Sequence, residues 1–275
     1  MNRADRYCVI GNPIAHSKSP LIHAAFAAAT GQALQYDRCL APLDGFEATM
    51  RGLIDQGYRG ANVTVPFKLE AARLATRLAP RAQAAGAVNT LIFADGEIVG
   101  DNTDGPGLVA DIVCNASVPL KDKRILLLGA GGAARGALLP LLQQEPRQIV
   151  IANRTLATAE RLVQDFAGHA ERLAVCGFAD AEGSFDVVIN ATSASLAADV
   201  PPVPASVFHP GTLALDMMYG NKPTVFMDFA ASHGASVRDG LGMLVEQAAE
   251  AFLIWRGVRP PSAQVLEELR RELAR

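Results

Sequence analysis

Ile125-Leu126-Leu127-Leu128-Gly129-Ala130-Gly131-Gly132-Ala133-Ala134 is the stretch that decides the fold. Four aliphatic residues of a buried strand run into G-x-G-x-x-A, and a helical pattern over 133–143 follows. In such a turn Gly129 permits the sharp change of direction, Gly131 lets the backbone approach a pyrophosphate, and small Ala134 lets the helix pack closely on the strand. The helix beginning there presents unpaired N–H groups and a positive dipole end to a phosphate. Glycines also serve tight turns that bind nothing. Here the strand before and the helix after both have the right character, which favours a dinucleotide, and Gly129, Ala130, Gly131, Gly132 and Ala133 become candidate cofactor contacts.

Downstream, strand patterns over 148–152, 186–189 and 212–217 alternate with a helix over 155–166, a βαβ grammar that implies a parallel sheet. The second strand ends in Asn153-Arg154-Thr155. An NAD site usually carries a carboxylate there for the ribose 2′-hydroxyl, whereas a 2′-phosphate needs a cation. The Arg154 guanidinium can pair with a phosphate and stack on an adenine, so the reading is NADP, with Asn153 and Thr155 beside it.

Upstream, strand and helix alternate again. A strand over 7–10 leads through a polar loop to a helix over 21–29, with Ser19 as N-cap and Pro20 in the first helical position. Asp44 and Glu47 form a capping box for a helix that stops at Gly57. A strand over 61–65, a helix over 68–78 and a strand over 87–93 follow, and Asp95-Gly96 reads as a two-residue hairpin turn into 97–99. Further helices are expected over 105–114, 241–255 and 263–273. Polar groups collect where these strands end: Asn62 and Thr64 with Lys68 beyond, Asn89, and Asp104. In open α/β sheets ligands bind at the carboxyl edge, so these groups suit a small hydroxylated molecule. Ser17 and Ser19 add two hydroxyls at a helix start, where a carboxylate is welcome, and an extended loop would turn Lys18 away from both.

The chain has 275 residues, a length for two ordinary domains or one large one; half the residues are apolar and 19% are charged, which excludes disorder. A net charge of −3 gathers neither a polyanion nor an anionic lipid surface, so no nucleic acid and no membrane is expected as a partner. Cys8, Cys39, Cys114 and Cys176 are widely spaced without a C-x-x-C pair, which reads as reduced thiols in a cytoplasmic protein with no metal site.

Taken together, Gly11 to Pro20, Gly60 to Lys68, Gly86 to Thr90, Gly100 to Gly105, the glycine loop, Asn153-Arg154-Thr155, Asn190-Ala191-Thr192, Asp216-Met217-Met218-Tyr219 and Asp239 to Leu244 resemble the shikimate dehydrogenase family in order and spacing. The resemblance implies an α/β fold with an N-terminal α/β substrate domain and a Rossmann-type dinucleotide-binding domain, the C-terminal helices returning to the first. The expected division is 1–103 with 240–275 for substrate and 104–239 for NADP. It also implies reversible NADPH-linked reduction of 3-dehydroshikimate on the route to aromatic amino acids, by a monomer or homodimer. By position, Lys68 and Asp104 correspond to the catalytic pair and Ser17 and Ser19 to the carboxylate site. Asn62, Thr64, Asn89 and Gln247 match residues around the ring hydroxyls, Tyr219 lines the substrate site, and Thr192, Met217 and Gly240 lie near the nicotinamide. Thr158 stands where strongly NADP-selective members often have a second basic residue, and the segment after Tyr219 is short for the family. Two alternatives remain at this stage: an NAD-using quinate/shikimate dehydrogenase, and a non-catalytic metabolite sensor, which would have no need of Lys68 and Asp104.

Overall fold

A computed structural model describes residues 4–273, which form two compact units: residues 4–107 with Val245–Leu269, and Leu108–Leu244 with residues 270–273. Among the described residues no helix is long and apolar enough to cross a membrane.

The first unit is built from β1 (Asp5–Gly11), α1 (Ser19–Thr30), β2 (Leu34–Leu40), α2 (Phe46–Asp55), β3 (Tyr58–Val63), α3 (Lys68–Leu74), β4 (Arg77–Leu78), α4 (Pro80–Ala85), β5 (Thr90–Ala94) and β6 (Glu97–Asp101). Helix α5 (Asp104–Ala110) leaves it and continues as a π-helical turn over Asp111–Asn115. The sheet order is β2-β1-β3-β5-β6-β4. Strands β1, β2 and β3 run parallel, while β5 is antiparallel to both β3 and β6. The ends of β1, β3 and β6 and the beginning of β5 therefore share one edge. Across it Val9, Asn62, Thr90 and Asp101 stand in register. The core below holds Phe46 stacked on Phe67 at 5.0 Å, with Met50, Leu91 and Val88 fully buried around them. Each such side chain contributes about 1.5 to 3 kcal/mol by leaving water.

The second unit contains β7 (Arg124–Leu128), α6 (Gly132–Leu142), β8 (Gln148–Ala152), α7 (Leu156–Gln164), β9 (Leu173–Cys176), β10 (Val187–Asn190), β11 (Leu213–Asp216), α8 (Val225–Ser232) and β12 (Ser236–Arg238). Its sheet, β12-β11-β10-β7-β8-β9, is parallel throughout. Leu126, Leu128, Val150, Val188, Ala214 and Phe226 form part of a core on one of its faces. Helices α9 (Leu241–Arg256) and α10 (Ser262–Leu273) close the chain.

Several local expectations are corrected. Ser19 is the first helical residue of α1, not its cap; Lys18 holds the cap position in a helical conformation, so the loop is not extended there. The Asp44 capping box does not form, because Gly45 occupies the cap of α2 without a side-chain bond. The helix expected over 68–78 stops at Leu74, since the Thr76 N–H donates to the Ile98 carbonyl at 2.8 Å and Arg77–Leu78 joins the sheet. Here ladder pairing outweighs helix propensity. Strand β2 went unforeseen because it is an edge strand with polar Gln35, Asp37 and Arg38, and it lacks the apolar run of a central strand. The Asp95-Gly96 turn does form, both residues at positive φ (53° and 79°), as a type I′ hairpin requires.

His23 on α1 is fully buried, stacked on Tyr36 at 4.2 Å and edge-on to Phe26 at 6.0 Å, with neither ring nitrogen hydrogen-bonded. Burial lowers its pKa from 6.5 to about 3; the Asn62 amide lies near enough to oppose this without reaching bonding geometry. Above pH 6.5 the ring is neutral whether the chain is folded or not, so it has no effect there. As the pH falls from 6.5 towards 3 only the unfolded chain takes up the proton, and stability is lost. At pH 5 the loss is about 2 kcal/mol. In urea unfolding at about pH 7 and about pH 5, His23→Phe is expected to lose that much less on acidification than the parent. An equal fall in both would mean that the folded state accommodates the imidazolium.

Candidate active site

The shared edge of the first sheet concentrates the polar residues singled out above. Asp104 opens α5 after β6, and Lys68 opens α3 after β3, so each follows a strand ending at that edge. Lys68 Nζ donates to Asp104 Oδ2 at 2.5 Å, with the two side chains 35% and 24% exposed. The pair is thus accessible yet partly shielded. The other carboxylate oxygen, Oδ1, accepts from Asn89 Nδ2 at 2.8 Å.

Asn89 is the hub. Its Nδ2 also reaches Thr103 Oγ1 at 3.0 Å and Gln247 Oε1 at 3.3 Å, while its Oδ1 accepts from the Thr103 N–H at 2.8 Å and from Thr90 Oγ1 at 2.9 Å. A buried amide with this many partners is held in one orientation. Gln247, on α9, joins through Oε1, which also accepts from Thr103 Oγ1 at 3.3 Å. Asn62 is buried; it donates to the Asn89 carbonyl at 3.2 Å and to Thr90 Oγ1 at 3.1 Å, and accepts from the Tyr36 hydroxyl at 2.6 Å. Both Nδ2 hydrogens of Asn62 are therefore committed, leaving an acceptor lone pair on Oδ1 as its remaining capacity. Thr64 is half-buried, and its hydroxyl has no protein partner among the described residues.

Ser17 and Ser19 meet, their hydroxyl oxygens 3.2 Å apart, and Ser17 Oγ accepts the Ser19 N–H at 3.3 Å. Ser17 therefore takes up an N–H at the start of α1, the kind of work the sequence reading gave to Ser19. Arg38 clamps the Ser17 carbonyl at 2.6 Å and 3.1 Å and holds the loop in place.

Two residues here escaped the sequence reading. Tyr36 lies on the unforeseen β2. Arg81, on the unforeseen α4, grips Asp101 with two bonds of 2.7 Å and 2.9 Å and reaches Glu250 at 2.9 Å, fixing the segment that leads to Asp104. Nothing in their local spacing marks either one.

In the second unit Gly129 turns with φ +103°, and its N–H donates to the Ala152 carbonyl at 2.8 Å. A β-carbon there would stand 3.1 Å from Thr192. Side chains at Gly131 or Gly132 would meet nothing within 4 Å, and Gly131 caps α6 without a side-chain bond. Space is open above the first turn, and its N–H groups are unused by any cap. That is the fit a pyrophosphate requires. Ala133 is exposed on that turn and Ala130 is half-buried, whereas Ala134 is fully buried against the sheet. Arg154 is exposed at the end of β8; Asn153 Nδ2 donates to the Thr155 carbonyl at 2.8 Å, which shapes the turn that carries it.

Thr192 and Met217 follow adjacent strands. Thr192 Oγ1 donates to Asn190 Oδ1 at 2.7 Å, and the Met217 N–H donates to the Asn190 carbonyl at 3.0 Å. Buried Asp216 ties this corner together: it accepts from Ser195 Oγ at 2.6 Å, Thr224 Oγ1 at 2.7 Å and the Met218 N–H at 3.0 Å. A β-carbon on Gly240 would lie 2.1 Å from the Met217 carbonyl oxygen, so only glycine fits. Tyr219 is 40% exposed; desolvation of the covered part of its phenol raises the pKa, and Asp239 adds to the rise. Among the described residues no cluster of three His, Cys, Asp or Glu side chains is placed to hold a metal.

Residues 9–91 match the family model of the shikimate dehydrogenase substrate binding domain, 111–198 that of shikimate/quinate 5-dehydrogenase, and 240–270 that of the shikimate 5′-dehydrogenase C-terminal domain. The shikimate dehydrogenase (NADP(+)) of Herminiimonas arsenicoxydans is 63% identical over 269 residues, 98% of each chain. Among solved structures, the Ael1 enzyme from Pseudomonas putida superposes with a TM-score of 0.93 at 51% identity, covering 97% of this chain and 98% of that one. Shikimate 5-dehydrogenase from Thermus thermophilus, in complex with NADP(H) and shikimate, gives 0.85 at 32% identity over 98% and 100%.

Proposed function

The chain belongs to the shikimate dehydrogenase family, and on that premise we propose that Lys68 and Asp104 are the proton-transfer unit of its NADP-linked oxidation of shikimate to 3-dehydroshikimate. The observation that carries this assignment is the 2.5 Å contact between Lys68 Nζ and Asp104 Oδ2. NADP supplies the hydride acceptor and, reduced, the donor. When the carbinol carbon is oxidised, its hydroxyl proton needs an acceptor; in the reverse direction the developing alkoxide needs a proton. Lys68 is the group that meets that oxygen. Asp104, held at Oδ1 by Asn89, fixes the ammonium in direction and shares its proton across the short bond.

Ser17 and Ser19 hold the substrate carboxylate with uncharged donors, so that no second ammonium competes with Lys68. Thr64, Asn89 and Gln247 border the ring hydroxyls and Asn62 serves them as an acceptor; Tyr219 is assigned to the substrate by its position in the family pattern. Residues 1–103 with 240–275 are assigned to substrate and 104–239 to NADP. In the latter, Gly129, Ala130, Gly131, Gly132 and Ala133 receive the pyrophosphate, Asn153, Arg154 and Thr155 the 2′-phosphate, and Thr192, Met217 and Gly240 the nicotinamide side. The four cysteines carry free thiols, which supports the cytoplasm as the place of action.

Nicotinamide absorbance, followed with shikimate or quinate against NADP or NAD, tests the reading. The fastest turnover is expected with shikimate and NADP; faster turnover of quinate with NAD would replace it with the NAD-using sister activity. In the same assay Ser17→Ala and Ser19→Ala are each expected to raise the KM for shikimate about tenfold and to leave that for NADP unchanged. With the carboxamide analogue of shikimate, parent and variants should be nearly alike. Serine variants that still separate acid from amide as strongly as the parent would place the carboxylate elsewhere.

A further inference from the structure

Strand β2 brings Tyr36 to the substrate edge of the first sheet. It is in register with Tyr7 on β1, and its hydroxyl donates to Asn62 Oδ1 at 2.6 Å on the strand beyond. The other side of the Asn62 amide is set by the Asn89 carbonyl and by Thr90 Oγ1. A flipped amide would face that carbonyl with its own oxygen, so the phenol sits where only a donor is welcome.

The ring is held without hydrogen bonds. His23 lies against it at 4.2 Å with planes 6° apart, and Trp255 at 6.3 Å is tilted by 45°. Burial, with the Cys8 thiol adding, keeps the phenol pKa well above its usual value, opposed by a contact from the Ser19 hydroxyl. Two consequences follow. Tyr36 stays a protonated donor throughout the neutral range, and its hydroxyl is committed to Asn62. Strand β2 therefore carries, two residues apart, the hydroxyl that holds the acceptor assigned to a ring hydroxyl and the Arg38 guanidinium that holds the Ser17 carbonyl in the loop assigned to the substrate carboxylate.

We propose that Tyr36 is a specificity-determining positioning residue for the hydroxylated acid: by donating to Asn62 Oδ1 it aims that acceptor at the substrate ring, and it sets the distance between that acceptor and the Ser17–Ser19 carboxylate site. Ser17 Oγ donates to Ser19 Oγ while accepting the Ser19 N–H, and the Tyr36 hydroxyl donates to Asn62 Oδ1, which leaves that oxygen one further lone pair with which to accept. An acid with a donor hydroxyl at the matching distance satisfies both ends. An acid without that hydroxyl leaves the acceptor unpaired, a discrimination that buried polar groups enforce strongly. This inference rests on the assignment of Ser17, Ser19 and Asn62 to the substrate.

Tyr36→Phe keeps the stacked ring and removes only the hydroxyl. It is expected to raise the KM for shikimate about tenfold, leave kcat within about threefold and the KM for NADP unchanged, and narrow the gap between shikimate and an analogue lacking one ring hydroxyl. Thermal unfolding of the variant checks that the fold is intact. An unchanged KM for shikimate, or a parallel rise in both KM values, would overturn the proposal. Ser17→Ala and Asn62→Ala run beside it separate the two layers. If they raise the KM for shikimate and Tyr36→Phe does not, the positioning role alone fails; if Asn62→Ala keeps the parental KM, the site assignment and this inference fall together.

Discussion

Lys68→Ala is expected to lower kcat by about two to four orders of magnitude with little change in the KM for shikimate, because positioned acid–base catalysis contributes about that much. The ammonium is required where charge develops on the carbinol oxygen, and far less in the ground state, where serines, amides and hydroxyls hold the ring. Its geometry supports this division. Lys68 is the first residue of α3, its carbonyl accepts the Val88 N–H at 3.0 Å, and its side chain is aimed by a 2.5 Å bond to Asp104. The backbone of Lys68 is thus anchored beside Asn89, and truncation at the β-carbon removes the proton carrier without releasing the strand end. Asp104→Asn is expected to be severe as well, since the amide cannot take a share of the proton. Steady-state kinetics in both directions decide the matter: near-normal kcat in Lys68→Ala would remove it from proton transfer, and a defect confined to KM in Asp104→Asn would reduce that residue to a binding group.

Arg154→Ala should weaken NADP about ten- to a hundredfold and NAD hardly at all, the cost of one charge-assisted contact with a phosphate at an exposed site. Arg154 stands exposed at the end of β8, on a turn shaped by the Asn153–Thr155 bond. Thr158, one turn into α7, adds no charge, and its hydroxyl accepts only a long contact of 3.4 Å from Arg161. The preference is therefore expected to rest largely on one guanidinium, and it should weaken with added salt as exposed pairs do. Titrating both cofactors against parent and variant measures this directly. Equal losses for NADP and NAD would put the 2′-phosphate elsewhere.

Much of this molecule was legible before any coordinates. The aliphatic run over 125–128 with its glycines identified a strand, a turn and a helix N-terminus, since each is specified by residues adjacent in the chain. The helix over 241–255 and the strand over 148–152 were readable for the same reason: their periodicity is local. The polar clusters after β3, before β5 and after β6 were also visible as residue types suited to a hydroxylated ligand.

Tertiary structure alone decided how those clusters meet. Lys68 and Asp104 are 36 residues apart, and Asn89 and Gln247 are 158 apart. The first pair meets because β5 runs against β3 and β6, which brings two strand ends and one strand beginning to the same edge, and Gln247 joins them from α9, which packs closely against Gly107. The Asp95-Gly96 turn announces that β5 and β6 are antiparallel, but nothing local in the first half announces that β5 also pairs antiparallel with β3. Tyr36 and Arg81 were missed because an edge strand rich in polar residues and a six-residue helix carry too weak a local signal. The start of α1 was misplaced by one residue, since cap chemistry at 17–19 permits either serine to take the N–H and the Arg38 clamp on the Ser17 carbonyl fixes the loop in which Ser17 does so. Sequence by itself determined the elements, the nucleotide loop and the kinds of groups at the site, because short-range pattern specifies them. Which groups share a proton, which amide is already spent on its neighbours and which hydroxyl aims it were decided by long-range strand pairing, whose energy comes from contacts that no local window contains.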